Sequence, residues 1–348
     1  MWQVCSQLKE PRVVACADLD AKRLKRRSFL QPGIDDVAFN SLRDPNNIPR
    51  LPGKKRIARR LPTAQYPNEN AWYTMSLLAA HLRNFWRLRQ HFEHPLLIAL
   101  LRLGFIKLKY FPYGIRNGCN SYLMLGRPMT SSTADLFVLR EVLVEETYRD
   151  VLPLLPKKGL RTVDIGANLG SFTIWLSRAA KVEEAFCFEP EPDSFRLLQL
   201  NLANNGCGFA HALDKAVGGR SRAAQIALKK DSPGGTNIYH TAAGPDRSQG
   251  SAIQVVGFSE WLKQTPGVFD VLKLDCEGSE WEIARETNQT EFARFGAIIA
   301  EVHTDPEGLN VVEDFGGLME ARGFRTIRWD RKVAGLYAGV HSQQTTAP

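Results

Sequence analysis

The chain has 348 residues, of which 44% are hydrophobic and 24% charged, a composition that excludes a wholly disordered or low-complexity protein and allows a large core in one or two domains. Its formal charge of +8 is unevenly spread: residues 1–110 hold 20 Lys and Arg against 8 Asp and Glu, and residues 111–348 hold 25 against 29. Basicity is therefore confined to the N-terminal third and does not argue for a nucleic-acid substrate in the remainder.

Residues 1–70 are rich in proline and in basic clusters, KRLKRR at 22–27 and KKRIARR at 54–60. They predict a poorly ordered segment, either a solvated tail or a surface that meets an anionic membrane or nucleic acid, of which only peripheral membrane contact is expected. Residues 71–109 turn helical, with Trp72, Leu77, Leu78, Leu82, Phe85, Trp86 and Leu88 recurring at three- and four-residue steps such as 78/82/85 and 82/86 among several arginines. Such a face docks onto the rest of the protein or lies on a membrane surface. The most apolar segment, residues 95–106, is interrupted by Arg102 and falls short of the ~20 residues of a membrane span. Residues 1–20 lack the charged start and apolar block of a secretory signal. The six cysteines form no CxxC pair, and Cys187 and Cys276 sit in apolar runs, which predicts a reducing compartment and a cytoplasmic location.

Turn residues Pro112, Gly114, Gly118, Gly126 and Pro128 precede a helix-like run at 133–149, and Pro153 and Pro156 close the segment. Residues 71–158 thus read as a mostly helical extension that packs on a sheet, and 159–342 as the main domain. In that domain strands and helices alternate, as in a parallel sheet with crossover helices. Strands are expected to end at Asp164 and to cover 184–189, 209–217, 269–275, 297–303, 325–329 and 333–340. Further β segments are expected at 223–228 and 253–256. Helices are expected at 171–178, through Phe195 and Leu202 to the stop at Asn205-Gly206, and at 258–263 and 311–322. The polar loop 229–250 contains DSPGGTNI at 231–238, a candidate substrate lid with hinge-like glycines. Seven strands with a final hairpin predict an α/β fold with a doubly wound sheet.

The turn after the first of these strands reads Asp164-Ile-Gly166-Ala-Asn168-Leu-Gly170. Glycine allows positive φ and close approach of the backbone to a ligand at the start of the next helix. The G-x-G-x-x-G of a dinucleotide pyrophosphate cradle is absent. Asp164 and Asn168 instead offer an acceptor and an amide to a small polar group. Glu189, at the end of the next strand, is placed to accept the hydroxyl protons of a ribose. Asp275-Cys-Glu277-Gly-Ser-Glu follows strand 269–275, with Ser279 and Glu282 spaced as a capping box. Glu301 and His303 end the neighbouring strand. Asp275, Glu277, Glu301 and His303 could converge on one substrate, one of them as general base. Oxygen and nitrogen ligands of this kind could also hold a divalent cation, but no pair has the tight spacing of a dedicated metal motif, so no metal is expected.

The blocks VDIGANLGSFTIW, FCFEPEPDSFRLLQLNLANNG, VLKLDCEGSEWEIA and IIAEVH occur in an order that resembles the FkbM family of S-adenosylmethionine-dependent methyltransferases. The resemblance covers roughly residues 160–303. It implies a seven-stranded Rossmann-like methyltransferase fold, S-adenosyl-L-methionine as cofactor, and O-methylation of a hydroxyl on a sugar, glycan or small metabolite. By the same resemblance Asp164, Gly166, Asn168 and Gly170 would hold the methionine part, Glu189 the ribose, Asn201 a further cofactor contact and Asp214 the adenine. The acids Asp275, Glu277 and Glu301 match the family's positions on the acceptor side. Two other readings stay open: a catalytically silent cofactor-binding protein that acts through its basic N-terminal region on a membrane or partner, and, against the missing glycine pattern, a nicotinamide-dependent oxidoreductase.

Overall fold

The computed structural model of the chain describes residues 86, 88–102, 105–127, 135–228, 236–239, 251–330 and 335–342. The basic clusters at 22–27 and 54–60, the helical run at 71–85, Pro128, and positions 229–235 and 240–250 of the polar loop lie outside the described residues. The chain divides into two units between Met75 and Ser76, and all described residues belong to the second.

A helix, α1 (Pro95–Arg102), precedes an antiparallel hairpin of β1 (Phe111–Asn117) and β2 (Asn120–Gly126). The hairpin occupies the segment that its turn residues marked only as irregular. Its strand character lies in the alternation of buried Phe111, Tyr113 and Ile115, which has the two-residue period of a half-buried strand. Gly118 provides the turn at φ 57°. Helix α2 (Asp135–Leu143) and a 3-10 turn (Arg149–Leu154) complete the extension.

The main sheet has seven strands: β3 (Leu160–Ile165), β4 (Val182–Phe188), β5 (Ala210–Leu213), then β10 (Phe269–Leu274), β11 (Phe295–Val302), β12 (Phe324–Asp330) and β13 (Gly335–His341). Their spatial order is β12-β13-β11-β10-β3-β4-β5. β13 runs antiparallel to both of its neighbours, β11 and β12, and the other neighbouring pairs are parallel. The chain winds outward from β3 through β4 to β5, then returns to β10 on the other side of β3, so the topological switch lies between β3 and β10. Ligands of open α/β sheets bind beyond the strand ends at such a point.

Alternate residues of the central strands enter two separate cores. Val271, Ala297 and Ile299 join the cluster under α3 (Ser171–Ala179) and α4 (Pro192–Asn204), whereas Leu272, Leu274 and Ile298 join the cluster of Phe258, Trp281 and Phe315 on the opposite face. Burial on both faces explains why these strands read as continuous apolar runs.

A second sheet of order β6-β9-β7-β8 is formed by β6 (Ala216–Gly218), β7 (Arg222–Leu228), β8 (Thr236–Tyr239) and β9 (Ser251–Gly257). The single strand expected at 209–217 is therefore two: exposed Asp214 and Lys215 interrupt it, and its second half pairs with β9 in the other sheet. Positions 236–239, expected within the polar loop, pair with β7 instead. Helix α5 (Phe258–Gln264) follows β9; α6 (Ser279–Glu286) and α7 (Gln289–Phe292) lie between β10 and β11, and α8 (Asp314–Ala321) precedes β12.

Candidate active site

The β3–α3 turn is built from positive-φ residues: Gly166 (φ 76°), Asn168 (φ 46°) and Gly170 (φ 83°). The backbone amides of Gly166 and Ala167 donate to the carbonyl of Phe188 at 3.0 and 2.9 Å, which ties the turn to the end of β4. A Cβ on Gly166 would lie 1.8 Å from the carbonyl oxygen of Asp275, and the amide of Asp275 donates to the carbonyl of Ile165 at 3.0 Å. The turn and the segment after β10 are thus in direct backbone contact. Helix α3 starts from Gly170 without a side-chain cap, so its first amides are not used by a neighbouring side chain.

Asp164 is fully buried. Its Oδ2 accepts from the Thr173 hydroxyl at 2.8 Å, and its Oδ1 faces Lys273 Nζ at 3.4 Å. Burial pushes its carboxyl upward, and the Lys273 and Thr173 contacts work against that shift. Asn168 Oδ1 is buried without a hydrogen-bond partner among the described residues, an acceptor turned inward at the middle of the turn.

Glu189 directly follows β4 and is 7% exposed. Its two oxygens accept from the backbone amides of Asn168 (2.9 Å) and Glu191 (2.8 Å). These bonds fix the carboxylate at the mouth of the turn. Burial nonetheless raises its pKa to about 7 against the stabilising effect of both amides. Asp214 is exposed directly after β5, where the Glu189 amide donates to the carbonyl of Leu213 at 3.0 Å.

Asn201 lies on α4 and joins the turn to the hairpin. Its Nδ2 donates to the carbonyls of Leu125 and Leu169, both at 3.0 Å, and its Oδ1 accepts from the Leu125 amide at 2.6 Å. Asn205, one helical turn later, makes the same paired contact with Leu123. Four residues of helix rise about 6 Å and two residues of strand about 6.8 Å, so two asparagines at this spacing match the free edge of β2. Both amide protons of Asn201 are engaged, and the side chain holds the turn against the hairpin.

Across the switch point, Asp275, Glu277, Glu301 and His303 do come together. His303 Nε2 lies 3.9 Å from Glu277 and 4.0 Å from Glu301, and its Nδ1 is 3.1 Å from Glu280. Glu280 is fully buried and accepts from the amides of Cys276 and Gly278, both at 2.7 Å. The capping box expected from Ser279 and Glu282 is absent: α6 has Gly278 at its N-cap without a side-chain bond, Glu282 pairs with Arg222 at 2.8 Å, and Glu280 reaches back to the free amides instead. Burial works to lower the His303 pKa, but Glu280, together with Asp275 and Glu277, raises it to about 10. The imidazole is a cation near neutral pH and cannot accept a proton there. Asp275, followed by burial, raises Glu301 to about 8. Single ligand atoms of Asp275, Glu301 and His303 lie within 4.8 Å of one another, a spacing that a divalent cation could also bridge.

Sequence reasoning missed three residues. Lys273 is the chief one, 4% exposed in its side chain, with Nζ 2.8 Å from the Gly166 carbonyl and 3.2 Å from Asp275. Burial disfavours its charge, but Asp275 and Asp164 outweigh this and hold its pKa well above the usual lysine value. The available signal was a lysine among the apolar residues of a strand buried on both faces, Val271-Leu-Lys-Leu274, which requires a charged partner. Glu141 of α2 and Tyr148 are the other two. Burial raises both, and the charges that Tyr148 senses are Lys273, Asp275, Glu301 and Glu141. The extension therefore contributes groups to the same crevice.

Residues 164–326 match the family described as Methyltransferase FkbM domain. Over that stretch the chain is similar to FkbM methyltransferases. The match opens on Asp164 and includes Glu189, Lys273, Asp275, Glu301 and His303, whereas the hairpin, α2 and Tyr148 precede it. The domain is similar to Methyltransferase 1 of Beauveria bassiana (strain ARSEF 2860), 23% identical over 208 residues that cover 54% of this chain and 80% of the relative. It is also similar to Methyltransferase sdnD of Sordaria araneosa, 23% identical over 220 residues that cover 55% of this chain and 83% of the relative. The crystal structure of methyltransferase FkbM from Methylobacillus flagellatus KT matches at 15% identity and a TM-score of 0.36, over 52% of this chain and 43% of that one. The chain thus spans less than half the length of that structure. None of the described helices is long and apolar enough to cross a membrane.

Proposed function

We propose that the chain uses S-adenosyl-L-methionine to methylate a hydroxyl of an uncharged acceptor, such as a sugar, glycan or small metabolite. The carrying observation is that Glu301, a carboxylate with its pKa raised to about 8, stands across the switch point from a glycine turn too tight for any Cβ at Gly166.

The residues of the turn fit the cofactor. The unpartnered Asn168 Oδ1 and the buried Asp164 supply acceptors for an ammonium group, and Gly166 and Gly170 keep the turn free of side chains. Glu189, held by two backbone amides, suits paired ribose hydroxyls. Exposed Asp214 lies beyond it on the adenine side. The bound cofactor supplies a sulfonium methyl group open to in-line attack. Glu301 accepts the proton of the attacking hydroxyl, a role that needs a pKa near the working pH. Asp275 and Glu277 orient the acceptor by accepting from its hydroxyls, and cationic His303 holds Glu277 and Glu301 in place. Glu141, Asp275, Glu277 and Glu301 together disfavour phosphate, carboxylate and nucleic-acid acceptors.

The test combines binding and transfer. Calorimetry should show S-adenosylmethionine bound and NADH not bound; the reverse overturns the reading in favour of an oxidoreductase. Acceptor extracts incubated with isotope-labelled methyl donor should yield a labelled methyl ether with the wild type and not with Glu301→Gln. Cofactor binding without a labelled product from any extract would favour the catalytically silent reading.

A further inference from the structure

Lys273 occupies β10, the strand at the switch point, with its side chain only 4% exposed. Its Nζ lies 2.8 Å from the Gly166 carbonyl, 3.4 Å from Asp164 Oδ1 and 3.2 Å from Asp275 Oδ2. The first two partners belong to the proposed cofactor turn, and the third belongs to the proposed acceptor face. The Gly166 carbonyl accepts a hydrogen bond from Nζ, the two carboxylates face it as ion pairs, and Asp164 Oδ1 has no hydrogen-bond partner among the described residues. The same two segments also meet through backbone, by the 3.0 Å bond from the Asp275 amide to Ile165. A cation that serves both sides cannot tighten on one without loosening on the other.

We infer that Lys273 is a positioning residue that couples the cofactor turn to Asp275, so that the state of the acceptor-side carboxylate sets cofactor affinity. The inference rests on the cofactor reading proposed above. When Asp275 loses its charge, Nζ moves toward Asp164 and competes with the ammonium group that Asp164 would otherwise receive. When Asp275 is held by an acceptor hydroxyl, the lysine remains shared and the turn keeps its shape. The coupling passes through one side chain in van der Waals contact with both segments, not through a distributed pathway.

A double-mutant cycle on the full chain tests this: S-adenosylmethionine affinity of the wild type, Lys273→Met, Asp275→Asn and the double variant, with thermal melts recorded in parallel. Asp275→Asn is expected to weaken cofactor binding about threefold or more when Lys273 is present and to have little effect in the Lys273→Met background, the range found for groups in direct contact. A lysine that served only as a structural counterion would lower the melting temperature on removal but leave the effect of Asp275→Asn on affinity the same in both backgrounds. That additivity would overturn the coupling. Removing Lys273 leaves two carboxylates without their cation, so if Lys273→Met does not fold, the cycle is run with Lys273→Gln, which keeps an N–H donor for the Gly166 carbonyl without the charge; the same criteria apply. Absence of cofactor binding by the wild type is a separate outcome that overturns the cofactor reading and the coupling with it.

Discussion

Gly166 and Asp275 are packed backbone to backbone: a Cβ on the glycine would sit 1.8 Å from the Asp275 carbonyl oxygen. Two segments more than a hundred positions apart in sequence are thereby held in one surface. Gly166→Ala is expected to cost about 1–3 kcal/mol for the left-handed backbone alone, and more for the clash. Misplacement of the turn by about 1 Å should weaken function by about 100-fold. Thermal unfolding and calorimetry with S-adenosylmethionine check both effects, and a variant that melts and binds like the wild type would refute the constraint.

Glu189 should make cofactor binding pH-dependent. Its folded pKa of about 7 lies above the ordinary carboxyl value of 4.5, so between these values the folded chain holds a proton that the unfolded chain has lost. Stability from this group is present below pH 4.5 and is lost as pH rises through about 7. Ribose hydroxyls donate to the ionised form, so affinity for S-adenosylmethionine should rise from pH 6 to 8. Glu189→Gln should flatten that rise and weaken binding about tenfold or more, the size of a lost charge-assisted hydrogen bond.

Glu301 should set the acid limb of turnover. With a pKa of about 8, the rate should rise with pH through that value, and Glu301→Gln should lower it about 10²–10⁴-fold. Because Asp275 is the largest cause of the raised value, Asp275→Asn should move the limb to lower pH while lowering the rate. Labelled-methyl transfer from pH 6 to 9 checks this; an unmoved limb would show that another group titrates.

Asn201 should behave as an anchor rather than a cofactor ligand. Asn201→Ala leaves the Leu125 amide and the Leu125 and Leu169 carbonyls without their partner, at a cost of about 1–3 kcal/mol. A fall in melting temperature of about 2–4 °C per kcal/mol follows. Cofactor affinity should drop less than in Glu189→Gln. A larger loss of affinity with an unchanged melting curve would return Asn201 to the ligand set.

The sequence by itself determined the features whose causes are local. Glycines at 166 and 170 mark a turn because they carry no Cβ, the apolar runs at 269–274 and 295–302 mark buried parallel strands, and the acids at strand ends mark the crevice above them. Alternation of strands and helices was enough for the doubly wound sheet. The β1–β2 hairpin was also encoded locally, in a two-residue period partly hidden by turn residues. Tertiary structure alone decided the partners. Lys273 meets Gly166 across 107 positions and Asn201 meets Leu125 across 76, and no pattern along the chain marks either pairing. The same holds for protonation: His303 is a cation because buried Glu280 lies beside its Nδ1, and Glu301 is a candidate base because Asp275 crowds it. A residue's type limits the chemistry it can do, but its charge state depends on solvent exclusion and on neighbours that only the folded chain supplies.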